Sequence, residues 1–425
     1  MTSWTDRDAA VVWHGFTQMA CFADNEPLII ERGEGRELID VNGKRYLDAI
    51  SSLWVTTLGH RVPELDAALT EQLGRVAHST LLGNGNRIVV ELAEALAAVV
   101  PVDQPHFLFA ADGACAVEQA IKIAFQYWVN SGVVGRTRYL AFGDGYHGDT
   151  VGSLSIGGRG FGTGLFDPLR FDVLRAPSFA NADALATAAK MIREHATQLA
   201  AVVVEPLVQG AAGMLIAEGS SFKHLADACR QTGVLLICDE VATGFGRTGA
   251  LFASELCALR PDLMCLGKGI TGGYLPMSVT VANQKVYAAF LGDDLSERTF
   301  YHGHSYGGNA LAAAVALRHL ELLFEQDVLT NVNARSSQLR TLLTPLCDHH
   351  AVKEVRLCGL MAAVELQDYG EPLRARRVCS AMVRQGVISR SMGNVVTIVP
   401  PLTTTEAEIQ RIVAALRVAL LEICT

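Results

Sequence analysis

The 425-residue chain has no apolar run long enough to span a bilayer; stretches such as Ala310 to Leu317 stop far short of the ~20 residues a crossing needs. It has no surplus of positive charge either: 35 Lys and Arg against 44 Asp and Glu leave a net −9, without a block of either sign. A basic footprint for nucleic acid is therefore missing, and that class of partner is set aside. Ten cysteines are scattered along the chain, and no two stand in Cys-x-x-Cys spacing. That pattern reads as reduced thiols rather than a disulfide or zinc framework, and no metal site is expected. The opening residues Met1–Asp8 lack the basic start and apolar run of a secretory signal. The expectation is a cytoplasmic protein. Internal repeats and low-complexity linkers are also absent.

Hydrophobic residues, by contrast, make up 50% of the chain, enough for a large core, and the length suggests two or three domains. Apolar, β-branched runs at His106–Ala110, Arg138–Phe142, Ala201–Glu205 and Val234–Cys238 read as buried strands. The first is followed by a stretch with helical spacing, Ala114–Trp128. Such alternation predicts an α/β fold whose mostly parallel sheet is covered by helices on both faces. Ligands in such sheets bind beyond the carboxyl ends of the strands. The flanks differ, with short strands at Pro27–Glu31, Glu37–Asp40 and Lys44–Leu47, helices around 311–326 and 405–422, and strands near 361–365 and 395–399. The expected division is a large domain over residues 60–320 and a smaller α+β domain built from residues 1–59 and 321–425.

Chemistry concentrates just past the strand ends. Asp239 closes the apolar run Val234–Cys238, and a buried carboxylate is costly unless a cation or several donors meet it. A protonated pyridine nitrogen is one such cation. Further on, Gly267-Lys268-Gly269 sets a lysine between glycines, which permit tight turns and close backbone approach. A desolvated lysine beside another cation becomes a nucleophile for Schiff-base chemistry. Asp112-Gly113-Ala114 joins a strand to a helix; it is either a phosphate-binding helix start or an ordinary turn. Tyr146, in Gly145-Tyr-His-Gly-Asp-Thr150, offers a ring to stack on a flat ligand.

Three other motifs resemble known sites but lack their context. Gly244-Phe-Gly-Arg-Thr-Gly249 fits the dinucleotide fingerprint, yet no second strand ending in an acid follows at the right distance. His147 with Asp149 suggests a metal pair, but no further ligands stand at sensible spacing, and Cys347-Asp-His-His350, which also suggests a metal, sits in a polar loop after a helix.

Together these motifs resemble the class III aminotransferases of fold type I, which use pyridoxal 5′-phosphate (PLP). The resemblance rests on Asp239-Glu-Val-Ala-Thr-Gly-Phe-Gly-Arg-Thr-Gly249 with the downstream Gly-Lys-Gly, and it covers nearly the whole chain. Trp13–Met19, Ser51–Trp54, the His302-Gly-His-Ser305 loop and Gly386–Arg390 are most similar to the biotin-synthesis branch, which aminates 8-amino-7-oxononanoate to 7,8-diaminononanoate. The resemblance implies that Lys268 is the Schiff-base lysine and Asp239 the partner of the ring nitrogen, with Tyr146 stacked on the ring and also touching substrate. It implies that Gly113 and Ala114 meet the phosphate, and that Ser305 reaches it from a neighbouring subunit. Phe16, Trp54, Gly303 and Arg390 then line the substrate site, Arg390 receiving a carboxylate. A homodimer with shared active sites is implied as well. Departures from the pattern are Asp112 at the phosphate turn, Phe16 where many relatives have Tyr, and Leu53 where many have Trp. S-adenosylmethionine is the expected amino donor, with lysine a close second. The alternative reading is another class III transaminase acting on ω-amines; a PLP mutase or decarboxylase and a cofactor-binding regulatory domain are more distant ones.

Overall fold

The computed structural model describes residues 3–158, 160, 162–371 and 373–424. Its centre is a seven-stranded sheet, here labelled in chain order β1 (His106–Ala110), β2 (Arg138–Phe142), β3 (Val173–Ala176), β4 (Leu199–Val204), β5 (Leu235–Asp239), β6 (Leu263–Leu266) and β7 (Ser278–Ala282). The spatial order is β1-β7-β6-β5-β4-β2-β3. Only β7 runs against its neighbours; the pairings among β3, β2, β4, β5 and β6 are all parallel.

Strand alternation explains why both faces are covered. Val202, Val204, Leu236 and Cys238 point to one side, where they pack with Leu185 and Ala188 of helix Ala184–Glu194 and with Leu225 and Ala228 of helix Phe222–Thr232. Ala201, Val203, Leu235 and Ile237 point to the other, against Ala116, Ala120, Ile123, Ala124 and Tyr127. Those five lie along one stripe of helix Gly113–Asn130, at three- and four-residue steps. Because both faces are buried, β4 and β5 read as unbroken apolar runs.

The flanks carry two four-stranded sheets. In one, Ile30–Glu34, Glu37–Asp40 and Arg45–Asp48 form an antiparallel meander, and Val387–Ile388 adds parallel to its last strand. In the other, Val352–Cys358, Met361–Leu366, Val395–Ile398 and Arg390–Met392 pair antiparallel. The α/β class and mostly parallel central sheet match the expectation. Bounds shift at the ends: the first flanking strand begins at Ile30 rather than Pro27, which has no N–H to donate, and β4 ends at Val204. Three strands of the central sheet escaped the sequence reading, as did Val352–Cys358 and the short pieces Val387–Ile388 and Arg390–Met392 of the flanking sheets. β6 is too short to display a period, β3 is interrupted by Arg175, and β7 alternates Ser278 and Thr280 with valines although it is buried throughout.

All ten cysteines are free. Among the described residues no cluster of three or more His, Cys, Asp or Glu is arranged to hold a metal, and no helix is long and apolar enough to cross a membrane.

Candidate active site

A cavity of about 760 Å³ opens at the carboxyl ends of the parallel strands. All the parallel strands except β3 deliver residues to it: Gly113 and Ala114 after β1, Tyr146 and His147 after β2, Glu205 after β4, Asp239 at the end of β5, and Lys268 after β6. Trp54 adds a wall from the N-terminal region. Six of the sequence-derived site residues thus share one cavity: Lys268, Asp239, Tyr146, Gly113, Ala114 and Trp54.

Lys268 opens a 3-10 turn, Lys268–Thr271, with a positive φ of 41°. A left-handed lysine costs backbone energy and marks a position held by its surroundings. Its Nζ lies 4.8 Å from the centre of the Trp54 ring. Burial pushes the Lys268 ammonium below its usual range, against the pull of Asp239 and Glu205, and Arg247 adds to the push. A buried amine lowered in this way is a better nucleophile at neutral pH.

Asp239 is 4% exposed, and its charge is met from two sides. Val241 N–H donates to Oδ1 at 3.0 Å, and His147 Nδ1 lies 2.7 Å from Oδ2. Burial works against charge on His147, but the hydrogen bond to Asp239 and the fields of Asp239 and Glu205 outweigh it and hold the imidazole above its ordinary range. Glu205 accepts from Tyr146 N–H at 3.0 Å and Gly210 N–H at 3.1 Å. Burial, more than these bonds relieve, raises its carboxyl to about 7. Tyr146 donates its hydroxyl to Asp149 at 2.9 Å, which fixes the ring against the cavity wall.

The start of helix Gly113–Asn130 resolves the question of Asp112. Its carboxylate caps the helix, accepting from Cys115 N–H at 3.0 Å, and so is turned to the helix's own backbone. Gly113 and Ala114 head the helix, where no intrahelical carbonyl reaches their N–H groups. A Cβ on Gly113 would stand 2.6 Å from Val241 Cγ1, so only glycine lets these backbones approach. Gly148, at φ 121°, seats the Tyr146–Asp149 turn on Ala114 just as closely.

Four residues lie elsewhere in the single chain. Gly303 packs on Leu82 and lines a separate cavity of about 400 Å³. Ser305 sits in the neighbouring loop, its carbonyl 2.7 Å from His78 Nε2, and does not border the Lys268 cavity. Phe16 and Arg390 line a third cavity of about 460 Å³ with Lys44, Tyr46, Arg376 and Arg384. One protomer therefore does not bring Phe16, Gly303, Ser305 or Arg390 to Lys268. Phe16 is exposed near the N-terminus, and Arg390 begins an edge strand of the C-terminal sheet, away from the strand ends that build the main cavity.

Sequence reasoning passed over Glu205 and gave His147 only a metal role. The available signal was an acid directly after an apolar strand, the same one that singled out Asp239.

Lys268 and the histidine-bonded Asp239 line one strand-end cavity with a helix start on its rim, an arrangement suited to the amine chemistry of fold type I enzymes. The aminotransferase class-III family model matches residues 19–420, and the chain belongs to that family. It is 44% identical over 98% of its length to an adenosylmethionine-8-amino-7-oxononanoate aminotransferase of Nitratidesulfovibrio vulgaris, of which it covers 81%. The Geobacter sulfurreducens protein of the same name is 39% identical, over 97% of this chain and 96% of that one. Among solved structures, the Methanocaldococcus jannaschii enzyme of that name superposes with a TM-score of 0.96 at 38% identity, covering 99% of both chains. An amine transaminase from an uncultivated Pseudomonas species, in its PLP-bound form, gives 0.91 at 33% identity over 97% of this chain and 99% of its own.

Proposed function

We propose that this aminotransferase uses PLP to convert 8-amino-7-oxononanoate to 7,8-diaminononanoate, taking the amine from S-adenosylmethionine. The observation that carries the reading is the pairing of Lys268 and Asp239 across one buried cavity, in a chain whose relatives bear that activity in their names. The cavity suits a flat phosphorylated pyridine. The N–H groups of Gly113 and Ala114, at the start of the helix, and the helix dipole suit a phosphate. Among the described residues the buried Trp54 indole N–H has no partner, a donor available to a ligand. Asp239 is an anion suited to a pyridine N–H.

When bound, PLP supplies an electron sink for carbon acids next to nitrogen. The chain's own part is proton handling and placement. Lys268, its ammonium destabilised by burial, would hold the cofactor and would be the group that moves a proton at the reacting carbons. Asp239 would keep the ring nitrogen protonated, and Tyr146 would cover the ring. Ser305 and Gly303 serve the cavity of a second protomer, so that a homodimer has shared sites. Arg390 receives the carboxylate of the keto acid, which lies several bonds from the carbonyl and reaches beyond the Lys268 cavity; Phe16 flanks the same path. The expected location is the cytoplasm.

Lysine is the second donor considered, because Leu53, 43% exposed, offers no aromatic surface for a sulfonium. The test mixes the PLP-loaded protein with each donor separately, then adds the keto acid and follows absorbance. Conversion by S-adenosylmethionine and discharge by 8-amino-7-oxononanoate are expected. Conversion by lysine alone overturns the donor, and discharge only by other keto compounds overturns the acceptor and favours the ω-amine reading.

A further inference from the structure

Helix Gly113–Asn130 buries one stripe against the sheet, and the stripe beside it carries Lys122, Gln126 and Asn130, each one turn beyond the last. All three reach the same piece of chain, residues 297–302. Gln126 Nε2 lies 3.1, 3.3 and 3.4 Å from the carbonyl oxygens of Thr299, Arg298 and Glu297, and Asn130 Nδ2 lies 3.4 Å from that of Arg298. Lys122 Nζ is 3.0 Å from His302 Nδ1 and 5.7 Å from the centre of the Phe300 ring. An ammonium can only donate, so Nδ1 accepts and the imidazole is neutral. Burial, with Lys122 beside it, holds His302 below its ordinary range, in agreement with that geometry. Phe300 stacks on His302 at 5.5 Å, so both rings are gripped together.

Gly303 and Ser305 follow directly, and both are exposed. Beyond them the chain is held again: His78 Nε2 lies 2.7 Å from the Ser305 carbonyl, and Asn309 Nδ2 donates to the Ala77 carbonyl at 3.3 Å. The exposed residues thus form an arm clamped at both ends, and neither Gly303 nor Ser305 borders the Lys268 cavity of its own chain. We propose that Gln126 and Lys122 are positioning residues for the active site of a second protomer: they fix the root of the arm so that Gly303 and Ser305 meet that protomer's cofactor and substrate. The proposal rests on the shared-site reading above and deepens it. The first turn of the helix presents Gly113 and Ala114 to its own cavity, while later turns hold the arm for the other. One rigid helix then sets phosphate-facing groups in two sites, by its backbone in one and through Ser305 in the other.

The test uses full-length chains carrying two different tags, co-expressed and purified through both as hybrid dimers. One protomer always carries Lys268→Ala, so each hybrid has a single site able to attach PLP, and affinity at that site is read by visible absorbance. Gln126→Ala on the Lys268→Ala protomer, the one that lends its arm, is expected to weaken PLP binding about 3- to 30-fold, the worth of one or two hydrogen bonds. The same change on the Lys268-bearing protomer is expected to leave affinity unchanged. Lys122→Met is expected to show the same asymmetry with a smaller loss, and Lys122→Arg, which keeps a donor, to restore binding. Gln126→Glu keeps the size of the side chain but not its donors, and is expected to match alanine; it replaces alanine if thermal melting shows that variant to be unfolded. Equal loss in both arrangements, loss only on the Lys268-bearing protomer, or no loss in either would overturn the proposal. A control hybrid with both anchors intact that binds no PLP, or a lone protomer that binds it fully, would instead sink the shared-site reading.

Discussion

The Lys268 amine and the Trp54 ring face each other at 4.8 Å, so the nucleophile is backed by an aromatic surface rather than by water. Trp54 is itself 4% exposed and sits at a positive φ of 64°, in a segment where Ser51 and Ser52 are also left-handed. The amine is thus held between two strained pieces of backbone. Packing, not local propensity, keeps it there.

That arrangement makes Lys268 the single attachment point. Borohydride reduction of the loaded protein is expected to leave the cofactor covalently on the Lys268 peptide, and Lys268→Ala to abolish the adduct. Mass spectrometry reads the position; an adduct on Lys122 or Lys285 would show the assignment to be wrong.

Ser305 lies outside the Lys268 cavity of its own chain. Ser305→Ala is expected to speed PLP loss, and dilution that separates protomers to do the same, as followed by absorbance after gel filtration. A monomer that retains PLP as well as the undiluted protein would refute both.

Arg390→Ala is expected to raise KM for the keto acid, with the half-reaction from the amino donor much less affected. Loss of a charge-assisted contact is worth about 1.5–3 kcal/mol, or roughly 10- to 150-fold. Equal damage to both half-reactions, in stopped-flow measurements, would assign Arg390 a different role.

His319 is fully buried beside Thr57, whose Oγ1 is 2.7 Å from its Nε2, and burial lowers its pKa to about 4. A histidine lowered in the fold is neutral there, so the unfolded chain takes up the proton first as pH falls. Its contribution to stability is intact above the unfolded value of about 6.5 and is lost progressively between there and 4, by up to about 3 kcal/mol. His319→Gln is expected to flatten this part of the pH–stability curve in denaturant melts. An unchanged acid limb would mean that His319 is charged in the fold.

Much of this was legible in the sequence because buried parallel strands are apolar without interruption. Val234–Cys238 announced both a strand and, at its end, a costly acid. Lys268 stood out through its flanking glycines. The same signal at Val204-Glu205 was present but has a meaning only once β4 and β5 are known to be neighbours. Short or mixed strands such as Leu263–Leu266 and Ser278–Ala282 owe their place to the sheet rather than to their own pattern. The direction of Asp112 was likewise undetermined until the cap on Cys115 N–H fixed it. The positions of Gly303, Ser305, Phe16 and Arg390 depend on loops and edges, whose placement no local period encodes.

The pairing of Val387 with Leu47 has a consequence for how the chain is made. These partners are 387 − 47 = 340 residues apart, and synthesis at about 5–20 residues per second separates them by roughly 17–68 s. Throughout that interval the Arg45–Asp48 strand has one edge unpaired, while Leu47 and Ile39 still lack their final covering. An open, partly apolar edge on a nascent chain is a site for wrong partners. The N-terminal meander therefore keeps an open edge until the last tenth of the chain emerges, and truncations that remove Val387–Ile388 would be felt at the Arg45–Asp48 strand.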